Sequence, residues 1–533
     1  MLCQKWCVFH LKLMKVVTVM NFWEKQRKRS GNGVVRMIFV GISLLLQIGW
    51  ILLIILELNA YSIAISLLSS VVASVVILRL YSKNTNSAFK LPWIMLMMAL
   101  PVMGLSLYLL VGNNGFARRS KKRMLQVRKQ LLPYLDQDTE VLKRLKEANL
   151  SAANQCGYLL KHTGSSVYGG SHTIYYGEAK DALEAMKREL EQAQKFIFME
   201  YFIIEDAESF EQILEILVRK AAQGVEVRLM YDDIGSVGYV NLKFARRMNR
   251  LGIRCQAFNP ALPVLNFFMN HRDHRKITVI DGRVGFTGGF NLANEYFGLA
   301  EPYGKWKDTG LRVEGEAVRS LTAIFLELWC VSSGQNEDIQ KYLDICYTVT
   351  GSGFVQPFGD NPITGERAAE NVLLNLIGQA KTYIYFITPY LIITDELSRA
   401  LGLAAKRGVD VRIITPGIPD KKTVYSVTRS YYAGLAQQGV RIFEYTPGFC
   451  HAKQCVCDGE FAVIGTSNLD YRSLYLHFEN DILLYDCDAI VDMVQDFRDM
   501  FPVCREVTQQ YSTDRSTILR LWQCVLRLFA PML

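Results

Sequence analysis

The sequence has few cysteines and fewer charged residues than a typical soluble protein, and each shortage excludes a class of protein. Its 12 cysteines in 533 residues are too sparse for a disulfide-stabilised scaffold. Charged residues make up 21% of the chain, against about a quarter in ordinary globular proteins, whereas half of the chain is hydrophobic. That content excludes an intrinsically disordered chain, because disordered chains lack apolar residues. The high hydrophobic content also argues against a wholly soluble enzyme, so it matters where in the chain the excess hydrophobic residues lie.

Long apolar runs are missing from most of the chain and are concentrated before residue 113. Residues 37–56, 61–78 and 91–112 contain no charged residue. Since a helix needs about 20 apolar residues to cross a bilayer, we predict a transmembrane helical hairpin over residues 37–80, with buried core helices as the alternative. Pro101 interrupts the third run, so we expect residues 81–115 to form a broken, re-entrant or interfacial segment.

Basic residues flank the apolar runs and set the expected orientation. Residues 1–36 form a basic N-terminus, which we expect on the cytoplasmic side. Residues 118–129 hold seven basic residues and no acidic one, a composition suited to anionic lipid and equally typical of an ordinary cytoplasmic flank. We therefore predict a multi-pass protein of the cell membrane, with a basic juxtamembrane linker over residues 116–174 and the rest of the chain on the cytoplasmic side.

From about residue 175 onward the sequence repeats itself. Within each half, short β-rich runs alternate with helical patterns, which indicates an α/β sheet. Four segments recur in the same order, namely 195–204 with 382–393, 224–233 with 408–417, 251–258 with 438–445 and 274–291 with 451–468. We therefore predict two homologous α/β domains over residues 175–345 and 346–510.

The last repeated segment carries the same chemical pattern in both halves. A histidine is followed by a lysine two residues later and an aspartate seven residues later, and then by a turn of small residues with an asparagine. The matched residues are His274, Lys276, Asp281, Gly289 and Asn291 in the first half, and His451, Lys453, Asp458, Thr466 and Asn468 in the second. Because the chain has only seven histidines, two at equivalent positions of one motif indicate a chemical role.

The spacing of these residues brings together side chains that can act on one chemical group. Residues two apart on a strand face the same way, so each histidine projects beside its lysine. Two lysines and two asparagines around one point favour an anion with several oxygens, namely phosphate. One histidine can attack phosphorus, while the other protonates the leaving oxygen and deprotonates the incoming hydroxyl. An unperturbed histidine, with a pKa of about 6.5, suits that exchange.

A metal site is the alternative at the second motif, where Cys450, Cys455 and Cys457 surround His451. Zinc sites usually use paired cysteines at Cys-x-x-Cys-like spacing, and the first half has no equivalent cysteines. We therefore expect neither a metal nor a cofactor.

The two motifs and several phrases around them resemble the phospholipase D superfamily, and within it the bacterial cardiolipin synthases. The phrases are EYFIIED (200–206), YDDIGS (231–236), WKDTGLRVEG (306–315), ITPYLI (387–392), EYTPGFCHAK (444–453) and GTSNLDYRSLYLHFEN (465–480). The resemblance covers nearly the whole chain. It implies two tandem α/β/α domains related by pseudo-twofold symmetry, with one active site at their interface and no metal.

The resemblance also implies roles for individual residues. His274 attacks the substrate phosphorus to form a phosphohistidine, and His451 acts as general acid and then as base, although the reverse assignment stays open. Asp308 and Glu479 match the acidic positions that hold the histidines in place. The residues expected to bind the phosphoryl oxygens are Lys276, Lys453, Asn291 and Asn468, beside Gly289 and Thr466.

The implied reaction is reversible phosphatidyl transfer between two phosphatidylglycerol molecules, giving cardiolipin and glycerol. The expected partners are phosphatidylglycerol and an anionic membrane rather than nucleic acid, because the basic segment lies beside the apolar runs. Hydrolysis by a phospholipase D, or synthesis of phosphatidylserine, is the main alternative, since only the acceptor differs. A phosphodiesterase acting on nucleic acid and an inactive membrane scaffold are more distant alternatives.

Two further segments are candidates for lipid access. Residues 261–269 hold Phe267 and Phe268 directly before the first motif, and they fit either a membrane-facing lip or a buried strand. Residues 517–529 show amphipathic-helix spacing. We therefore predict a C-terminal amphipathic helix within residues 511–533, either at an interface or packed on the core.

Overall fold

The computed structural model describes residues 63–111, 115–260, 270–334, 337–344, 347 and 349–513, with isolated residues between 38 and 53 and between 523 and 530. Most of the first predicted transmembrane run and all of the candidate lip at 261–269 lie outside the described residues. So does most of the predicted C-terminal helix. Within it, the Nε atom of Arg527 donates a hydrogen bond to the hydroxyl of Ser430 at 3.1 Å, which ties this end of the chain to the second domain.

The described helices are α1 (Ile63–Tyr81), α2 (Ser87–Ala99), α3 (Pro101–Val111), α4 (Gly115–Leu131), α5 (Thr139–Ala148), α6 (Leu150–Thr163), α7 (Ala179–Gln192), α8 (Glu208–Ala222), α9 (Phe244–Arg250), α10 (Val318–Ser333), α11 (Gln340–Leu343), α12 (Ala368–Gln379), α13 (Asp395–Lys406), α14 (Lys422–Ala436), α15 (Tyr471–Tyr475), α16 (Asp488–Met500) and α17 (Thr508–Ser512). The described strands are β1 (Tyr168–Gly169), β2 (His172–Tyr176), β3 (Phe196–Tyr201), β4 (Glu226–Asp232), β5 (Arg254–Phe258), β6 (Lys276–Ile280), β7 (Val284–Gly288), β8 (Gly310–Glu314), β9 (Phe354–Asp360), β10 (Tyr383–Ile387), β11 (Leu391–Ile392), β12 (Asp410–Pro416), β13 (Arg441–Tyr445), β14 (Gln454–Cys457), β15 (Phe461–Gly465), β16 (Leu469–Asp470), β17 (Glu479–Tyr485) and β18 (Cys504–Glu506).

Helices α1, α2 and α3 form an apolar cluster around the buried residues Ala73, Leu80 and Met97. The third apolar run does not form one helix. Helix α2 ends before Leu100 and α3 begins at Pro101, because the residue before a proline is disfavoured in a helix. Within the described part of the chain, no helix has both the length and the apolar character needed to cross a bilayer, so the predicted transmembrane helices are not supported.

Residues 116–174, predicted as a linker, are folded against both domains. The basic helix α4 buries Met124, Val127 and Leu131 against α10 of the first domain. Helices α5 and α6 pack into the core of the second domain, and the side chain of Asn149 caps the start of α6 by accepting from the N–H of Ala152 at 3.0 Å. Helices α4 and α5 have a narrow apolar face and are otherwise mostly charged or polar, so their sequence looks like that of a linker.

The first domain is built on a seven-stranded sheet with the order β2-β8-β7-β6-β3-β4-β5. Strands β3, β4 and β5 run parallel, while β6 is antiparallel to both β3 and β7. Strand β3 is buried at every position, as expected of a central strand that is covered on both faces.

The second domain repeats this arrangement within a nine-stranded sheet, β1-β9-β17-β15-β14-β10-β12-β13-β18. Its inner order from β9 to β13 matches the first sheet strand for strand, with the same parallel and antiparallel pairings. The prediction of two tandem α/β domains is therefore confirmed. Strand β1 precedes the first domain in the chain, yet it pairs with β9 at the edge of the second sheet.

Candidate active site

The two repeated motifs meet where the domains touch, and each is joined to the opposite half through its backbone. The amide of His274 donates to the carbonyl of Phe478 at 2.9 Å, and the amide of His451 donates to the carbonyl of Lys307 at 2.7 Å. Each accepting residue directly precedes an acidic residue. The central strands β6 and β14 therefore deliver both histidines to one interface, as the sequence predicts.

The acidic residues hold the histidines crosswise. Nδ1 of His274 lies 3.0 and 2.9 Å from the two carboxylate oxygens of Glu479, which belongs to the second half. Nδ1 of His451 lies 2.7 Å from Oδ2 of Asp308, which belongs to the first half. All four side chains are buried. Each half thus supplies one histidine and the carboxylate that orients the histidine of the other half.

The turn residues Gly289 and Thr466 differ for a steric reason. A Cβ atom at Gly289 would come within 2.1 Å of Oδ1 of Asp308 and 2.9 Å of the carbonyl oxygen of His451, so no larger residue fits. At the matching position, the hydroxyl of Thr466 donates to Oε2 of Glu479 at 2.6 Å and accepts from the amide of Asn480 at 2.9 Å. The threonine therefore fixes the carboxylate that faces His274.

The two motif lysines are buried beside the histidines. Nζ of Lys276 donates to the carbonyl of His274 at 2.6 Å, and Nζ of Lys453 lies 2.7 Å from Nδ1 of His451. Burial lowers the pKa of Lys276 to about 7 and that of Lys453 to about 8, although the nearby carboxylates oppose this change. The site is therefore poised to accept an anion, whose negative charge would stabilise both ammonium groups.

The histidines do not keep their ordinary pKa. Burial, followed by the charges of the two motif lysines, lowers the pKa of both His274 and His451 well below its usual value. Burial raises the pKa of Asp308 to about 6, with Lys453 opposing that change. In the substrate-free site both imidazoles are consequently neutral, a property that the sequence alone could not reveal because it depends on burial.

The two asparagines are placed differently. Oδ1 of Asn291 accepts from the amide of Ile203 at 3.1 Å, and its Nδ2 donates to the hydroxyl of Tyr296 at 2.8 Å, so each polar atom of this side chain makes one hydrogen bond. Oδ1 of Asn468 is buried and has no hydrogen-bond partner among the described residues. That free atom is an acceptor, so it suits a hydroxyl group, whereas a phosphoryl oxygen needs an Nδ2 donor from either asparagine.

The motif aspartates are not brought to the histidines. Asp281 and Asp458 follow the far ends of β6 and β14 and adopt positive φ angles of 55° and 54°. Asp281 accepts three backbone N–H groups, those of Gln194, Lys195 and Phe196, at 2.7–2.8 Å. Asp458 makes the equivalent contacts with residues 381–383. Both aspartates organise turns and act on the site only through the strands.

Aromatic side chains that motif reasoning did not single out form the walls of the site. The ring centroid of Phe202 lies 5.0 Å from that of His274, and Tyr296 and Trp306 lie 5.2 and 5.6 Å from His451. Phe202 and Trp306 stand in the phrases EYFIIED and WKDTGLRVEG, so their presence in those phrases was the available signal. Apolar walls around charged groups limit the access of water.

A third histidine also lies at the site. His274, His477 and Glu479 offer three donor atoms within 4.8 Å of one another, a grouping that could hold a metal ion among the described residues. Two of these donors already bond each other, since Nδ1 of His274 faces both oxygens of Glu479. The expectation of no metal stays a prediction.

Comparison with known proteins follows the same division of the chain. A family model described as "Cardiolipin synthase, PLD-like domain" matches residues 186–329 and 373–501. A second model, described as "Phospholipase_D-nuclease N-terminal", matches residues 69–113, the region of α1 to α3. The first repeated motif lies within 186–329 and the second within 373–501, so the first of the two models covers both.

Relatives match over most of their length. An uncharacterized protein of Streptococcus mutans is 38% identical over 458 residues, covering 86% of this chain and 99% of that protein. A cardiolipin synthase of Halalkalibacterium halodurans is 33% identical over 492 residues, covering 91% and 95%. Cardiolipin synthase 2 of Bacillus cereus is 35% identical over 463 residues, covering 85% and 88%.

A solved structure shares the fold. The phosphatidylserine synthase of Haemophilus influenzae Rd KW20 superposes with a TM-score of 0.55 at 13% identity, covering 71% of this chain and 99% of that one. At this identity the likeness concerns the fold alone. The extent and identity of the sequence matches go further: the chain belongs to the cardiolipin synthases of the phospholipase D superfamily, which are phosphatidyltransferase enzymes.

Proposed function

We propose that this chain transfers a phosphatidyl group from one phosphatidylglycerol to another, giving cardiolipin and glycerol through a phosphohistidine at His274. The observation that carries the proposal is the crosswise pairing of two buried histidines with Glu479 and Asp308, beside two buried lysines. Such a site supplies a nucleophile, a proton carrier and two cations for one phosphodiester.

The hydrogen bonds at Nδ1 support the assignment of roles. Nδ1 of His274 faces two carboxylate oxygens, which are acceptors, so it carries a proton and leaves a lone pair on Nε2. Nδ1 of His451 lies 2.7 Å from an acceptor, Asp308, and 2.7 Å from a donor, Lys453. It cannot donate to the first and accept from the second at the same time, so its protonation is not fixed by these contacts. An imidazole with a fixed Nδ1–H is suited to nucleophilic attack. We therefore assign the attack to Nε2 of His274.

In the first step, Nε2 of His274 forms a bond to phosphorus and the bond to the glycerol oxygen breaks, with His451 giving its proton to that oxygen. In the second step, His451 takes the proton of an acceptor hydroxyl, whose oxygen bonds to phosphorus as the bond to nitrogen breaks. His451 must be protonated before the first step. The bound phosphodiester is an anion, and its charge opposes that of the lysines and raises the pKa of His451.

The acceptor is the second phosphatidylglycerol in this proposal, with Lys276 and Lys453 binding the phosphoryl oxygens, and with the Nδ2 groups of Asn291 and Asn468 as the amide donors. Water and serine are the competing acceptors, corresponding to a phospholipase D or a phosphatidylserine synthase. The aromatic walls at Phe202 and Trp306 favour a lipid acceptor over water, because they exclude solvent from a charged site.

We also propose that the apolar N-terminal part places the catalytic domains at the cytoplasmic face of an anionic cell membrane. Leu67, Leu68 and Val71 on α1 are exposed apolar side chains, which a lipid environment would cover. Exposed Lys121 and Lys122 on α4 would face anionic headgroups.

The test uses the full chain in phosphatidylglycerol vesicles, without added nucleotide, since one phosphodiester is exchanged for another. We expect cardiolipin and glycerol in equal amounts, no turnover by His274→Ala, and an acid-labile phosphatidyl adduct trapped by His451→Ala. Phosphatidic acid as the main product would overturn the synthase assignment. An adduct that survives His274→Ala and is lost in His451→Ala would reverse the two histidines.

A further inference from the structure

His477, two residues before Glu479, is buried in the site and is not part of either repeated motif. Its ring centroid lies 5.5 Å from that of His274 and 6.5 Å from that of Phe202. Its Nδ1 atom lies 3.7 Å from Oε1 of Glu479. The third histidine therefore faces the same carboxylate that orients the nucleophile.

Arg472 fixes the tautomer of His477. Nε of Arg472 is a donor and lies 3.3 Å from Nε2 of His477, so Nε2 accepts and the proton of the neutral ring resides on Nδ1. The amide of His477 also donates to the carbonyl of Arg472 at 2.9 Å. The ring is thus oriented with an N–H group directed at Glu479.

This N–H group of His477 has no acceptor within hydrogen-bond distance among the described residues. Nδ1 of His477 is buried and makes no hydrogen bond within the described residues, and 3.7 Å is beyond hydrogen-bond distance. A buried donor without a partner is costly, so its retention beside the carboxylate points to a state in which the bond forms. Burial lowers the pKa of His477 to about 3, so the ring is a neutral donor at working pH and adds no further positive charge.

Glu479 needs such a donor most when His274 carries the phosphatidyl group. With Nδ1 protonated and Nε2 bonded to phosphorus, the imidazole ring is a cation, and an ionised carboxylate stabilises it. Hydrogen bonds to a carboxylate favour its ionised form. Besides His274, His477 and Arg472, the ionisable groups that surround Glu479 are Lys276, Lys453, Asp470 and Asp481.

We propose that His477 is a positioning residue that donates to Glu479 in the phosphoenzyme, keeps this carboxylate ionised, and so stabilises the phosphohistidine. This inference rests on the proposed function, in which His274 is the nucleophile. The residue touches neither substrate nor phosphorus and acts only through Glu479.

The test compares His477→Phe, which keeps the ring volume beside Phe202 but removes the donor, with His477→Asn, which keeps an N–H donor. Because the bond to Glu479 forms only in the phosphoenzyme, in His477→Phe the acid limb of kcat moves to higher pH by about one unit, while that of kcat/KM, which reports the free enzyme, stays in place. In His477→Asn the limb stays close to that of the parent chain. Thermal melting of both variants checks that they fold.

A second readout is the lifetime of the adduct. In the His451→Ala background, adding His477→Phe should shorten the half-life of the trapped adduct about tenfold, whereas adding His477→Asn should not. Equal lifetimes for the two, or a His477→Phe profile that is lowered by the same factor at every pH, would overturn the inference. If the parent chain releases phosphatidic acid, the proposed synthase function is overturned. The pH profile and the lifetime of the adduct would still test the role of His477, measured then for hydrolysis.

Discussion

At the scale of single residues, the sequence predicts which side chains meet but not their protonation. The spacing of His274 and Lys276, repeated at His451 and Lys453, is enough to place all four at one site. The low pKa of the histidines and the raised pKa of Asp308 come from burial between two domains, which no local pattern encodes. The family resemblance indicates Asp308 and Glu479 as the acids beside the histidines, but which acid faces which histidine could not be deduced, because each comes from the other half.

The lysines make the affinity for substrate depend on pH. The pKa of Lys276 is lowered to about 7 and that of Lys453 to about 8, so the substrate-free site loses its positive charge as the pH rises through these values. We expect kcat/KM to fall about tenfold between pH 7 and 8, where Lys276 loses its proton, and more steeply above pH 8, where Lys453 follows. The value of kcat should change less, because bound phosphate keeps the lysines charged. Vesicle kinetics measure both, with sedimentation to check that membrane binding is constant. A flat kcat/KM up to pH 9.5 would contradict this expectation.

At the scale of elements, repeated strand patterns were readable because each strand is short, apolar and bounded by turns. The turn aspartates were readable only as part of the motif, and their position at the far ends of β6 and β14 became visible in the folded sheet. Helices α4 and α5 were missed because their apolar faces are narrow and most of their remaining residues are charged or polar, and α6 was missed because its apolar residues are mixed with polar ones. Such a pattern does not show which domain the helix packs against.

Asp281 should matter for stability more than for chemistry. Replacing it by Ala removes the acceptor of three backbone N–H groups and leaves an alanine at a φ of 55°, so we expect a loss of about 2–4 kcal/mol in the free energy of unfolding. Asp281→Asn tolerates this φ and keeps one acceptor oxygen, so it should lose less. Denaturant titration measures both.

A matched control for that experiment is Asp486→Ala. Asp486 is exposed and also has a φ of 55°, so its replacement reports the backbone strain without the buried acceptor. If Asp281→Ala and Asp486→Ala lower the free energy of unfolding by the same amount, the whole loss comes from backbone strain, and the hydrogen bonds of Asp281 contribute no stability of their own.

At the scale of the whole molecule, the segment before the first motif domain belongs to both domains. Helix α4 packs on the first domain, while α5, α6 and β1 complete the second. The predicted boundary at residue 175 therefore cuts through a folded unit. The duplication was predictable from sequence, whereas this N-terminal contribution to the second sheet was not. The contribution pairs residues that are distant in the chain, such as Gly169 and Phe354, which are 185 positions apart.

Truncation at two positions distinguishes residues that would anchor the protein to a membrane from residues that the catalytic domains need in order to fold. We expect a chain that begins at residue 115 to stay folded and to turn over a short-chain phosphatidylglycerol in detergent. A chain that begins at residue 175 should lose the apolar contacts of Leu145 and Leu159, both fully buried, and should aggregate or melt at a lower temperature. Calorimetry of the two chains is the measurement, and equal melting temperatures would contradict the expectation.

The crosswise holding of the histidines also bears on how such an enzyme arose. A single half has a histidine and a carboxylate that do not meet, since each reaches across the interface to the other copy. An ancestral half-length chain would therefore have worked only as a symmetric pair, with two interchangeable histidines. Fusion into one chain allowed the copies to diverge. The first half now has Asp308 beside Gly289, whereas the second half has Glu479 beside Thr466 at the matching positions. The proposed division of labour, with His274 as nucleophile and His451 as acid, requires such divergence, because two identical copies would offer identical histidines.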